Sequence, residues 1–123
     1  MAGLILGPLC PVYTATKHGV VGFTRSMASM DPAFTPQDIR LNTLCPTFSD
    51  TAIISKTMPP EFIDPAILKK FSNAKLMPVS MVAEGFLKLV EEDHHDKVMR
   101  VTHEKGIDFH PFKKTPPAAT SKM

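Results

Sequence analysis

Residues 11–25, PVYTATKHGVVGFTR, decide how the rest of the chain is read. Pro11 has a backbone already set for a first helical turn, where its missing N–H goes unused. Val20, Phe23, Met27 and Met30 then recur at helical spacing up to Asp31-Pro32, so the pattern predicts a helix over 12–30. Tyr13 and Lys17 lie four residues apart and project from one face, a turn from each other. A phenol ionises near pH ~10 when isolated, and a neighbouring ammonium favours its phenolate, which suits general acid–base work. The same spacing also describes an ordinary pair on a solvated helix surface.

Working outward, Ile39 to Cys45 (IRLNTLC) mixes β-branched and apolar residues without Gly or Pro and predicts a buried strand ended by Pro46. Val82 to Glu92 predicts an amphipathic helix with Val82, Phe86, Leu89 and Val90 inward, and Lys97 to Thr102 a second strand. Helix, strand, helix, strand is the order of a parallel α/β layer. Such a layer needs cover on both faces, more than two strands and two long helices provide, so the expectation is an incomplete sheet with structure missing ahead of Met1. The 12 prolines punctuate the chain at Pro32, Pro36, Pro59, Pro60, Pro65, Pro78 and the group from Pro111 to Pro117.

With 123 residues, the chain is one domain at most. Fourteen Lys+Arg against twelve Asp+Glu, spread along the chain, give no concentrated positive field, which argues against a nucleic-acid partner. No Lys or Arg precedes the apolar start, Pro8 and Pro11 interrupt it, and no run approaches the ~20 apolar residues of a membrane span, so a soluble, cytoplasmic chain is expected. Cys10 and Cys45 are expected to be reduced, partly buried thiols.

Three segments in order, YTATKHGVVGFTRSMA (13–28), DIRLNTLCPTFSDTAI (38–53) and EKGIDFHPF (104–112), resemble the second half of a short-chain dehydrogenase/reductase. The likeness runs from Met1 to about residue 117, is strongest over 13–25 and 40–53, and is poor over 56–82. It implies an α/β fold, the C-terminal half of a Rossmann-like doubly wound parallel sheet without its N-terminal cofactor-binding half. Within the family the likeness is to NAD-dependent members that oxidise a secondary alcohol of a lipid to a ketone. By resemblance Tyr13 is the catalytic acid/base, and Lys17 the group that lowers its pKa and bonds the nicotinamide ribose. Pro46, Thr47, Ser49, Asp50 and Thr51 fall in the segment that touches the nicotinamide and its phosphates, and Cys10 stands near the substrate hydroxyl. Gly19 and Gly22 resemble small positions that let this helix pack closely, and the helix over 12–30 is implicated in homo- or hetero-dimers.

The sequence also departs from the family. Thr47 replaces a glycine that lets backbone approach the nicotinamide, and its side chain is expected to crowd that face. Cys10 replaces an amide-bearing glutamine. The family's catalytic serine, glycine-rich phosphate loop and ribose-reading acid would lie ahead of Met1, and Gly3 and Gly7 form no G-x-G-x-x-G. The expectation is a chain that binds NAD feebly and is catalytically incompetent alone. The alternative is a non-catalytic truncated product that associates with an intact subunit.

Elsewhere the readings are structural. Residues 91–96, EEDHHD, lack metal-ligand spacing and read as a solvated turn. His18, His103 and His110 read as partly exposed. Met27, Met30, Met58, Met77 and Met81 suit core packing or an adaptable apolar cleft. Residues 55–79, with Phe62, Ile63, Ile67, Leu68 and Phe71 apolar, hold the place of the family's substrate lid. A partial dehydrogenase domain over 1–110 is followed by a loose tail over 111–123.

Overall fold

The structure is a computed structural model that describes residues 1–8, 10–30, 39–52, 65 and 75–112. Its elements are α1 (Pro11–Ala28), β1 (Asn42–Pro46), α2 (Val79–Glu91), β2 (Lys97–Thr102) and β3 (Gly106–Phe109). The sheet runs in the order β1-β2-β3. β1 and β2 are parallel, with Asn42 opposite Lys97 and Pro46 opposite Val101, as the helix–strand alternation predicts. β3 returns antiparallel, from Thr102 opposite Gly106 to Met99 opposite Phe109, so the sheet is mixed.

Alternation along the strands sends side chains to two cores, one under each helix. On one face Leu89 of α2 packs with Met77, Met99 and Val101, joined by Leu44, Met81, Val82 and Ile107. On the other face Val21 of α1 packs with Cys45 and Val98, joined by Met1 and Leu4. One helix thus lies on each face of the three-stranded sheet. Gly85 allows the close approach of α2, because a Cβ there would sit 2.9 Å from Val101 Cγ2 and 3.3 Å from Met99 Sδ. Glycine inside a helix costs roughly 1 kcal/mol relative to alanine.

Several expectations need correction. α1 buries Thr14 and Val21, whereas Val20 is 53% and Phe23 68% exposed and Met30 is also exposed. The seated line is the seven-residue step from Thr14 to Val21, since this helix meets only one sheet face. In α2, Gly85 and Leu89 are buried and Val82 partly so, but Phe86 and Val90 are exposed at 57% and 50% for the same reason. β1 starts at Asn42 rather than Ile39, and it includes Pro46. Arg40 serves as a cap, its guanidinium donating to Glu92 O at 2.6 Å and Val90 O at 3.0 Å at the carbonyl-rich end of α2. β3, four residues with one charge, is too short to register as a strand in sequence. Phe112 is attached, its ring 3.8 Å under the Arg25 guanidinium and edge-on to His110. Cys45 is buried but Cys10 is exposed, and both are free thiols. Met77 and Met81 belong to the core under α2.

The turn at 91–96 does more than face solvent. His95 Nε2 donates to Ala28 O at 2.9 Å, and its Nδ1 accepts the Leu41 N–H at 3.3 Å. Asn42 Nδ2 donates to His94 O at 2.7 Å while its Oδ1 accepts the Lys97 N–H at 3.0 Å. The turn therefore ties the end of α1 to the starts of β1 and β2. Met58, most of the 55–79 lid stretch with its five apolar residues, the breaks at Pro32, Pro36, Pro59 and Pro60, and residues 113–123 lie outside the described residues. Among the described residues no helix is long and apolar enough to cross a membrane, and no three His, Cys, Asp or Glu side chains are grouped to hold a metal.

Across β2 and β3, Arg100 Nε donates to Asp108 Oδ1 at 2.8 Å and Nη2 to Oδ2. The Arg100 hydrogen bond holds the Asp108 carboxyl below its usual range. A depressed carboxylate stabilises the fold above its unfolded pKa, near pH ~4, and that contribution is lost as pH falls through the folded value. In thermal unfolding across pH, Asp108→Asn is expected to lower the midpoint at neutral pH and to flatten its fall in the acid limb below about pH 4. Parallel acid limbs would contradict this.

Candidate active-site cleft

The cleft is built from the first turns of α1. Cys10 is the N-cap residue, its carbonyl accepting the Thr14 N–H at 2.9 Å, and Pro11 holds the first helical position as its fixed φ predicts. Residues 1–8 double back over the helix. Gly3 lies against the backbone of α1 at Lys17, where a Cβ would sit 2.7 Å from both Lys17 O and Val21 Cγ2. Gly7 accepts a hydrogen bond from Thr14 Oγ1 at 3.4 Å, and a Cβ on it would sit 2.5 Å from that oxygen. Both glycines are therefore consumed by packing on α1 and form no open anion cradle. The backbone nitrogen of Met1 donates to Pro46 O at 2.6 Å, which fixes this segment across the end of β1.

Between the segment, α1 and β1 lies a cleft of about 210 Å³, walled by Tyr13, Lys17 and Val20 on the helix and by Thr43, Cys45 and Pro46 on the strand. The Lys17 ammonium stands over the Tyr13 ring, 5.3 Å from its centroid, within reach of a cation–π attraction. Tyr13 is 54% exposed, so the phenol is open to an incoming molecule. Thr43 is 8% exposed, and its hydroxyl oxygen makes no hydrogen bond among the described residues. Burial pushes the Cys45 thiol up, which keeps it protonated and a poor nucleophile.

Of the residues singled out in sequence, the structure brings Tyr13, Lys17 and Pro46 into one cleft. Thr47 turns away from it: its N–H and its hydroxyl both reach Val101 O, at 2.9 and 3.3 Å, and the hydroxyl also meets Met77 Sδ at 3.3 Å. Thr47 instead lines a second cavity of about 540 Å³ with Lys75, Arg100 and Lys105. Ser49 is bridged to Met77, Asp50 N–H donates to Met77 O at 2.8 Å, and Thr51 is exposed in the bend that follows. None of these four lines the Tyr13 cleft, nor does Cys10, whose Sγ lies 3.9 Å from Thr14 Oγ1. A Cβ built on Gly19 or Gly22, both expected at close contacts, would meet no atom within 4 Å beyond the adjoining residues and helix backbone among the described residues. Thr43 and Gly3 were not singled out in sequence. The available signals were a polar residue facing inward from an apolar strand and a glycine ahead of a helix.

The structure thus sets a tyrosine–lysine pair one turn apart beside the end of a strand in a parallel β–α–β layer. The short chain dehydrogenase family profile matches residues 1–61, and the chain belongs to the short-chain dehydrogenase/reductase family. Among curated proteins it is 36% identical to the 15-hydroxyprostaglandin dehydrogenase (NAD+) of Bos taurus, over 94% of this chain and 46% of that protein. The same enzyme of Macaca fascicularis is 34% identical over 99% of this chain and 48% of its own length, and that of Homo sapiens 34% over 94% and 46%. The chain thus spans slightly less than half the length of the curated relatives it matches.

Because Gly3 touches the Lys17 carbonyl, Gly3→Ala is expected to destabilise the fold by about 1–3 kcal/mol and to shift the NMR signals of Lys17 and Val21. Gly19→Ala, which fills open space, is expected to leave those signals in place and to stabilise by up to about 1 kcal/mol. Equal effects from the two substitutions in denaturant unfolding would contradict the packing described.

Proposed function

We propose that this chain carries the acid–base half of a NAD-dependent dehydrogenase site that oxidises a secondary alcohol of a hydroxylated lipid. The observation that supports it is the Lys17 ammonium over the Tyr13 ring in a cleft closed by the end of β1. Tyr13 serves as the acid–base group toward the substrate hydroxyl, and Lys17, beside its ring, turns a donor toward a bound sugar. Pro46 lines the cleft beside them; by resemblance Cys10 falls near the substrate hydroxyl and Thr47, Ser49, Asp50 and Thr51 in the segment that meets the cofactor, although none of these five lines the cleft. When bound, NAD supplies the hydride acceptor. The relatives' names, which specify NAD+ and a hydroxyprostaglandin, support the cofactor and the lipid class.

The donors at the cleft fit the nicotinamide-ribose end of such a cofactor. At about 210 Å³ the cleft is smaller than the roughly 300–1,000 Å³ of typical ligand sites, and Gly3 and Gly7 are occupied by α1. We therefore read these 123 residues as catalytically incompetent by themselves, since a base without a positioned hydride acceptor loses most of the benefit of proximity. A second reading is a non-catalytic, cytoplasmic chain that joins an intact subunit through the helix over 12–30. It is favoured by the exposed Val12, Val20 and Phe23 and by the open space over Gly19 and Gly22.

Titrating NADH fluorescence with the purified chain is expected to give a dissociation constant weaker than micromolar. Mixed with the cofactor-binding half of the bovine relative, the chain is expected to form NADH from a hydroxylated fatty acid, and Tyr13→Phe to reduce that rate about a hundredfold or more. Micromolar binding by the chain alone would contradict the incompetence. A Tyr13→Phe mixture as fast as the parent would contradict the acid–base role, and a mixture with no activity but a stable complex favours the second reading.

A further inference from the structure

One polar group of the cleft takes no part in the Tyr13–Lys17 pair. Thr43 is the second residue of β1, on the face turned toward α1, nine-tenths buried, with its hydroxyl oxygen unpartnered among the described residues. Buried hydroxyls are normally hydrogen-bonded, and a valine here would fill the same volume, suit the strand and leave nothing unsatisfied. Other orphaned atoms lie elsewhere and have near neighbours: Arg25 Nε and Asp96 Oδ1 face each other at 3.6 Å, and the His110 ring packs edge-on to Phe112. Only Thr43 among them shares the wall that holds Tyr13 and Lys17.

We propose that the Thr43 side chain is a ligand-binding group, pairing with a hydroxyl of the molecule held against Tyr13 and Lys17. This rests on the reading of that cleft as a ligand site. A threonine hydroxyl donates and accepts, which matches another hydroxyl better than a purely anionic or cationic group. Rotation about χ1 exchanges the hydroxyl and methyl positions without moving β1, so the oxygen can turn into the cleft when a partner arrives. Two sources carry the required chemistry, the alcohol substrate and the sugar of a nicotinamide cofactor.

The test is a pair of NMR titrations of the full chain, one with 2-octanol and one with nicotinamide mononucleotide, each followed at the signals of Tyr13, Lys17 and residue 43. Thr43→Val is expected to weaken one probe by roughly fivefold, the loss of one hydrogen bond, without lowering the unfolding midpoint, and Thr43→Ser to restore binding. Thr43→Ala serves as a second hydroxyl-free variant. Weakening of 2-octanol assigns the group to the substrate, and weakening of the mononucleotide assigns it to the cofactor sugar. If both probes shift Tyr13 and Lys17 in Thr43→Val and Thr43→Ala with parental affinity, the proposal is wrong and the cleft reading stands. If neither probe moves Tyr13 or Lys17 in the parent, the cleft reading falls and the proposal with it.

Discussion

The seating of α1 on the sheet is the constraint on which the rest depends. One side chain, Val21, enters the core beside Cys45 and Val98, and one glycine, Gly3, lets the preceding segment close over it. A buried valine contributes about 1.5–3 kcal/mol, a modest anchor for an 18-residue helix, so the seat depends on backbone contact as much as on apolar area. That seat fixes the rotation of the helix about its axis. With Thr14 and Val21 inward, Tyr13 and Lys17 must stand at the edge of the contact, half over the end of β1 and half toward solvent. A rotation that buried Phe23 instead would carry both polar groups off the cleft.

The far end of the helix is held by different chemistry. The carbonyl of Ala28 is taken by His95, and Arg25 lies between Asp96 and the Phe112 ring. Arg40 does the equivalent for α2 through the carbonyls of Val90 and Glu92. Both helices thus finish on cationic or imidazole groups borrowed from elsewhere in the chain, at the amino ends of the parallel strands, while the cleft opens at the carboxyl end of β1. Stability and candidate chemistry occupy opposite ends of one small layer, as is usual for parallel α/β sheets.

Legibility in sequence followed how local each signal was. The start of α1, the extent of β2 and the parallel pairing of β1 with β2 were readable, because proline placement and helix–strand alternation act over a few residues. The Tyr13–Lys17 pair was readable for the same reason, since a four-residue step fixes a shared face. The inward faces were not. Both helices carry apolar residues around more than half their circumference, and periodicity cannot tell which stripe meets the sheet and which, such as Phe86 with Val90, stays outside. β3 escaped because four residues with one charge make no pattern until Thr102 and Gly106 close the hairpin. The unpartnered state of Thr43 depends on what is absent around it, and a linear string cannot express that.

The central claim is that packing fixes the ring and the ammonium on one face of a helix seated through Val21. Proton–proton NOEs in the isotope-labelled chain address it most directly. The account expects cross-peaks from the Tyr13 ring to the Lys17 side-chain methylenes, together with contacts from the Val21 methyls to Cys45 and Val98. A spectrum in which Phe23 rather than Val21 contacts the strands, or in which the Tyr13 ring shows no contact with Lys17, would contradict it.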